Sequence, residues 1–100
     1  MTAKRHITVL LVEDNIDFAK LVRIYLGRFE DAEIEIIWKA NGTEGIEEAV
    51  RNQSVDVILM DYFLPGMNGL EITRALKEKE VETPVVFLTV NKDMNLAVEV

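Results

Sequence analysis

The sequence contains no cysteine, one histidine and only two prolines among its 100 residues. Without thiols, neither disulfide bonds nor thiolate chemistry can contribute to this chain. The apolar run from Ile7 to Val12 is far shorter than the roughly 20 residues of a membrane-spanning helix, and it ends at the acidic pair Glu13-Asp14. Basic residues are also scarce. The chain has eleven basic and eighteen acidic residues, which gives a net charge of −7. This balance argues against nonspecific binding to nucleic acid or to anionic membranes. We therefore expect a single cytoplasmic globular domain.

Short apolar runs alternate with amphipathic stretches along the chain. The runs, rich in β-branched residues, predict strands, and apolar residues at helical spacing predict helices. The predicted strands are 7–12, 34–38, 57–60 and 84–89, and the predicted helices are 15–29, 43–51, 70–80 and a fourth from residue 91. We expect 34–38 to be an edge strand, and we expect Val50 and Leu70 to face inward. Strands that alternate with helices predict right-handed βαβ crossovers and a parallel sheet covered on both faces.

Polar residues follow three of the predicted strands. Glu13 and Asp14 follow the first, Asp61 ends the third, and Thr89 ends the fourth. In open parallel sheets, ligands bind at the carboxyl ends of the strands, near the point where strand order reverses. Taken singly, an acidic pair is often a helix cap, a strand-end Asp is often an Asx turn, and a strand-end Thr often reflects β propensity. Their conjunction at one sheet edge favours a functional site.

Clustered carboxylates repel one another, and a hard cation would relieve that repulsion. Mg²⁺ prefers oxygen ligands and takes one or two carboxylates with water and phosphate oxygens. We expect Asp14 and Asp61 to bind it directly and Glu13 to act through water. The Asp61 carboxylate could then attack phosphorus and form an acyl phosphate. The Thr89 hydroxyl could donate a hydrogen bond to one of the phosphoryl oxygens.

Three segments resemble response-regulator receiver domains. They are the opening strand with its acidic pair (9–15), the strand and loop around Asp61 (57–69), and the fourth strand with its threonine (84–89). The resemblance implies a flavodoxin-like fold and Mg²⁺-dependent phosphorylation by a sensor histidine kinase or phosphotransfer protein. It also implies that Asp61 is the acceptor and Thr89 the switch hydroxyl. The metal would be served by Glu13, Asp14, Asp61 and the backbone carbonyl of Phe63.

The sequence departs from the family pattern at its end. Residues 1–100 would form a receiver domain with strand order 2-1-3-4, without the final strand and helix. The lysine that the family carries on its fifth strand is missing, which predicts weak phosphorylation. Three explanations stay open: a shortened chain, a homodimer or swapped partner that covers the sheet, and a natural minimal variant.

Two other functions share part of the sequence pattern of the phosphorylation switch. A phosphatase of the haloacid-dehalogenase type also uses a strand-end Asp with Mg²⁺, but it needs a second Asp two positions later. That position is Phe63, which cannot transfer a proton. The other rival is a receiver that cannot be phosphorylated and serves as an interaction or dimerisation module. We expect a signalling domain that catalyses only its own phosphorylation and dephosphorylation.

Overall fold

The computed structural model describes the backbone of residues 5–90 and 96–99, and the side chains of residues 5–88. Its helices are α1 (Ile16–Leu26), α2 (Gly42–Arg51) and α3 (Gly69–Glu78). Its strands are β1 (Arg5–Val12), β2 (Ala32–Lys39), β3 (Val57–Asp61), β4 (Phe63–Leu64), β5 (Met67–Asn68), β6 (Val85–Val90) and β7 (Leu96–Glu99). The predicted alternation of strands and helices is confirmed from β1 to β6.

A parallel sheet with the order β2-β1-β3-β6 forms the centre of the structure. β1 pairs with β2 along its whole length, and it pairs with β3 from Val9 opposite Val57 to Val12 opposite Met60. β6 pairs with β3 so that Leu88 lies opposite Asp61. The predicted order 2-1-3-4 and the edge position of β2 are thus confirmed. This register brings the carboxyl ends of β1, β3 and β6 to one edge of the sheet.

The core consists of one layer on each face of the sheet, because neighbouring side chains of β1 point in opposite directions. Leu10 and Val12 pack in the layer covered by α2 and α3, whereas Leu11 packs in the layer beneath α1. All three are at most 1% exposed. β1 is therefore buried on both faces, as its almost continuous apolar sequence predicts.

Each described helix begins after an asparagine, whose side-chain oxygen accepts a backbone N–H from the first turn. Asn15 accepts from Phe18 at 3.0 Å, and Asn41 accepts from Glu44 at 2.9 Å. Asn68 accepts from Glu71 at 2.9 Å, and the Glu71 carboxylate in turn accepts the Asn68 N–H at 3.0 Å. These caps satisfy backbone donors that the helix itself leaves unpaired. They fix where each helix begins relative to the sheet edge.

Two predictions about side-chain packing are wrong. Val50 is 43% exposed and Leu70 is 49% exposed, although both were expected to face inward. α2 and α3 turn other residues toward the sheet, notably Ile46 and Ala49 from α2 and Ile72 from α3. An apolar residue on the flank of a helix satisfies the helical spacing without reaching the core.

The predicted fourth helix is also wrong where the structure describes it. Residues 91–95 and 100 lie outside the described part of the chain, but Leu96–Glu99 form β7, which pairs antiparallel with β6. The edge of β6, which the expected absence of a fifth strand would leave open, is therefore paired with β7. The expected loop 62–69 contains a short hairpin of β4 and β5, and Gly66 at its turn has a φ of 81°. Glycine adopts this left-handed conformation without steric cost.

The described residues leave part of the α1 face of the sheet uncovered. An apolar groove of about 330 Å³ lies beside α1. It is lined by Val22, Tyr25, Leu26, Leu59 and Leu88. Tyr25 is 52% exposed at this groove, although it lies on the apolar side of the helical pattern. α1 therefore buries only part of its apolar surface against the sheet.

α3 ends in a Schellman motif that uses glutamate where glycine is usual. The Glu80 N–H donates to the Lys77 carbonyl at 3.0 Å, and the Val81 N–H donates to the Leu76 carbonyl at 2.9 Å. Glu80 has a φ of 60°, and Val81 packs against the core that contains Leu76. A side chain with a β-carbon is strained in this left-handed conformation.

We predict that Glu80→Gly stabilises the protein by roughly 1 kcal/mol, because the β-carbon that causes the strain is removed. Urea unfolding measures the change in the free energy of unfolding. Glu80→Ala is the matched control, since it removes the same charge and retains the β-carbon. Equal stabilisation by glycine and alanine would show that charge, and not backbone conformation, is responsible.

Candidate functional site

Three carboxylates meet at the carboxyl edge of the sheet. Glu13 and Asp14 follow β1, and Asp61 is the last residue of β3. One ligand oxygen from each lies within 4.8 Å of the others. The pairing of Val12 with Met60 brings the two chain segments side by side at this point. The convergence that we expected from the sequence is present.

Glu13 is held by the neighbouring edge strand. Its N–H donates to the Lys39 carbonyl at 3.0 Å, which extends the β1–β2 pairing by one residue. Its carbonyl accepts the indole N–H of Trp38 at 2.8 Å. The residue is only 2% exposed, although it carries an ionisable carboxyl group. β2 thus anchors the backbone from which the acidic pair projects.

Asp61 is half-buried, and its orientation is set by the loop that follows it. The Phe63 N–H donates to Asp61 Oδ1 at 3.1 Å, as in an Asx turn. The Phe63 ring is 70% exposed and meets Tyr62 edge to face, with ring centroids 5.0 Å apart. The metal-binding role of the Phe63 carbonyl stays a prediction.

Burial and mutual repulsion make the ionised cluster unfavourable. Burial, a hydrogen bond with the Asp14 carboxylate and the charge of Asp61 raise the pKa of Glu13 from 4.5 to about 7. Burial also raises the pKa of Asp61, with a further contribution from the charge of Asp14. The hydrogen bond from the Phe63 N–H opposes this rise without cancelling it. A bound cation would favour the ionised form of both groups.

An aromatic contact supports the loop after Asp61. Tyr62 packs edge to face against Phe87 of β6, with ring centroids 5.3 Å apart. The space for this contact depends on Gly69, where a β-carbon would lie 2.5 Å from Phe87 and 2.6 Å from Tyr62. The Gly69 N–H also donates to the Tyr62 carbonyl at 2.7 Å. Gly69 therefore connects the start of α3 to the residue next to Asp61.

Sequence reasoning missed Trp38 and Gly69 as supports of the site. The signal available for Gly69 was a glycine directly after Asn68, a residue type favoured at helix N-caps. Trp38 offered no comparable signal, because its hydrogen bond crosses between strands that are far apart in sequence.

Thr89 follows Leu88, the residue that pairs with Asp61, so its backbone lies near this edge. Its side chain lies outside the described part of the structure, and its role stays a prediction.

Within the described residues, no helix is long and apolar enough to cross a membrane.

Lys39, at the end of β2, directs its ammonium group to Glu48, with Nζ 3.9 Å from the carboxylate. Glu48 is buried and also binds Arg51 and Asn52 of the same helix region. These hydrogen bonds lower the pKa of Glu48. Lys39 therefore serves a structural ion pair.

Comparison with known proteins gives consistent results. The transcriptional regulatory protein YkoG of Bacillus subtilis is 37% identical over 81 residues, which cover 81% of this chain and 34% of YkoG. Regulatory protein LuxO of Vibrio cholerae is 38% identical over 89 residues, which cover 89% of this chain and 19% of LuxO. This chain thus spans about a third of YkoG and a fifth of LuxO.

A receiver domain protein from Clostridium thermocellum has the same fold, with a TM-score of 0.74 at 24% identity. The superposition covers 87% of this chain and 68% of that one. The family model of the response regulator receiver domain matches residues 9–100. With the sheet order and the acidic edge described above, these matches establish that the chain belongs to the response regulator receiver domain family of two-component signal transduction.

Proposed function

We propose that Asp61 accepts a phosphoryl group from a histidine kinase or a phosphotransfer protein, and that this modification controls an output by changing the conformation of the domain. The convergence of Glu13, Asp14 and Asp61 within 4.8 Å is the observation that carries the proposal. Response regulators in general receive their signal from such partners.

The carboxylates fit a Mg²⁺ site by their chemistry. Mg²⁺ prefers oxygen ligands and is usually bound by one or two carboxylates, with water and phosphate oxygens completing its coordination. In the proposal Asp14 and Asp61 are direct ligands, Glu13 acts through water, and the Phe63 carbonyl is a further ligand. When bound, the ion would offset the negative charge of the cluster and of an approaching phosphoryl group.

Asp61 supplies the nucleophile in this proposal. One of its carboxylate oxygens forms a bond to phosphorus while the bond from phosphorus to the donor's histidine nitrogen breaks. The Phe63 N–H, 3.1 Å from Oδ1, restricts rotation of the carboxylate and so limits the directions of attack. Thr89 is proposed as the switch hydroxyl that donates to the new phosphoryl group. This transfer of the phosphoryl group from the donor's histidine to Asp61 requires no third reactant.

Beryllofluoride binding with Mg²⁺ tests the acceptor directly, because the compound mimics a phosphoryl group on a carboxylate. We predict that Asp61→Asn weakens its binding by ~100-fold or more, since the amide is a poor ligand for both beryllium and the cation. Fluorine NMR of the bound species measures the effect.

Asp56→Asn is the matched control, because it makes the same chemical change at the other end of β3. Asp56 accepts the Thr8 N–H through Oδ2 at 2.8 Å, and an asparagine oxygen can still accept it. This variant should bind beryllofluoride like the wild type. Undiminished binding by Asp61→Asn, or equal loss in both variants, would contradict the assignment of the acceptor.

The proposal also predicts how stability depends on pH without divalent ions. The pKa of Glu13 is higher in the folded state, about 7 against 4.5, so the folded protein binds this proton more tightly. The resulting stabilisation is complete below pH 4.5 and is lost as the pH rises through about 7. We expect a fall on the order of 1 to 3 kcal/mol across this window from this group. Urea unfolding in a chelating buffer measures it.

Glu13→Gln should flatten this fall, because the glutamine side chain does not titrate. Saturating Mg²⁺ should flatten it as well, because the cation stabilises the ionised carboxylates that the folded state otherwise disfavours. If the fall is the same with and without Mg²⁺, the cluster does not bind the ion, and the metal site is wrong.

A further inference from the structure

Trp38 is the only tryptophan of the chain, and it lies on the edge strand β2. Its indole N–H donates to the Glu13 carbonyl at 2.8 Å, so its donor is satisfied inside the protein. The ring is partly buried and packs against the core layer beneath α1. The hydrogen bond joins residues 25 positions apart in sequence.

This hydrogen bond acts on the peptide plane between Glu13 and Asp14. The carbonyl of Glu13 belongs to that plane, and Trp38 holds it at 2.8 Å. The preceding peptide plane contains the Glu13 N–H, which donates to the Lys39 carbonyl at 3.0 Å. Because peptide units are planar, hydrogen bonds on the two units that flank Glu13 restrain its backbone dihedrals. β2 thereby restricts the direction in which Asp14 leaves the sheet.

The hydrogen bond that the Glu13 carboxylate accepts from the backbone is longer than those made by the Glu13 N–H and carbonyl. The Asn15 N–H approaches Glu13 Oε2 only to 3.5 Å, at the limit of a hydrogen bond. Asp14 is exposed, so packing does not restrict it. Asn15 is engaged in capping α1 through Phe18. The hydrogen bond from the Trp38 side chain to the Glu13 carbonyl, at 2.8 Å, is therefore the shorter of these two contacts to the acidic pair.

We propose that Trp38 is a positioning residue whose hydrogen bond to Glu13 sets the affinity of the carboxylate cluster for a divalent cation. The inference rests on the Mg²⁺ site proposed above. Trp38 does not touch the ion in this proposal. It orients the backbone so that the carboxylates of Glu13 and Asp14 meet that of Asp61. At other metal sites, residues that hydrogen-bond to the ligands orient them in the same way.

Trp38→Phe removes the N–H donor and keeps an aromatic ring for packing. We expect its dissociation constant for Mg²⁺ to rise ~10-fold, as is typical when a contact that orients a metal ligand is removed. Isothermal titration calorimetry with Mg²⁺ alone measures the constant, at a temperature where both proteins are folded. Far-ultraviolet circular dichroism verifies folding before each titration.

Ile36→Val is the matched control for general loosening of β2. Ile36 packs against the same core layer as Trp38, and it makes no side-chain hydrogen bond. Its Mg²⁺ affinity should equal that of the wild type. Unchanged affinity in Trp38→Phe, or the same loss in Ile36→Val, overturns the positioning role. A wild-type protein that binds no Mg²⁺ overturns the metal site and this inference together, so the two failures are distinguishable.

A measurement on the wild-type protein covers the case in which Trp38→Phe does not fold. The single tryptophan gives one indole N–H signal in a nitrogen–proton NMR spectrum. Mg²⁺ binding should shift this signal with the same midpoint as the calorimetric titration. The reason is that the Glu13 carbonyl, which accepts the indole N–H, moves when the carboxylates of Glu13 and Asp14 bind the ion. An indole signal that stays unchanged at saturating Mg²⁺ overturns the proposal.

Discussion

The register between β1 and β3 is the constraint on which the site depends. Val12 lies opposite Met60, so the next residues on the two strands, Glu13 and Asp61, lie side by side. Side chains alternate along a strand, and a shift by one residue would turn every one of them to the other face. The buried apolar residues of β1 oppose such a shift, because both core layers would lose their contacts. Packing of the core thus holds together carboxylates that repel one another.

The ionised carboxylates at this edge of the sheet reduce the stability of the fold. Glu13 is 2% exposed, and its raised pKa reflects the free energy needed to ionise it there. Burial also raises the pKa of Asp61, and the hydrogen bond from the Phe63 N–H opposes this rise. A protein without a ligand to bind gains nothing from this arrangement, since separate exposed carboxylates would be more stable. Such costs are common where residues are arranged for function.

Local sequence signals predicted much of the fold and the acidic edge. The run that became β1 is continuous because both faces of this strand are buried, and Asn15 marks the start of α1 directly. The residues of the cluster were predictable because parallel strands end at one edge. Trp38 was not, because its contact with Glu13 depends on the pairing of β1 with β2. Residues 96–99 were expected to be helical, whereas pairing with β6 favours a strand, and this is a tertiary effect.

The groove beside α1 has a thermodynamic consequence. Apolar surface around Tyr25 and the neighbouring lining residues stays in contact with water in the folded state. The heat capacity change of unfolding comes mainly from apolar surface that becomes newly hydrated, and it is about 1.2–1.5 kcal/mol/K for 100 residues. Surface that is already hydrated adds nothing to this value. Covering this groove with a bound apolar group would therefore raise the heat capacity change of unfolding by a small fraction of that value.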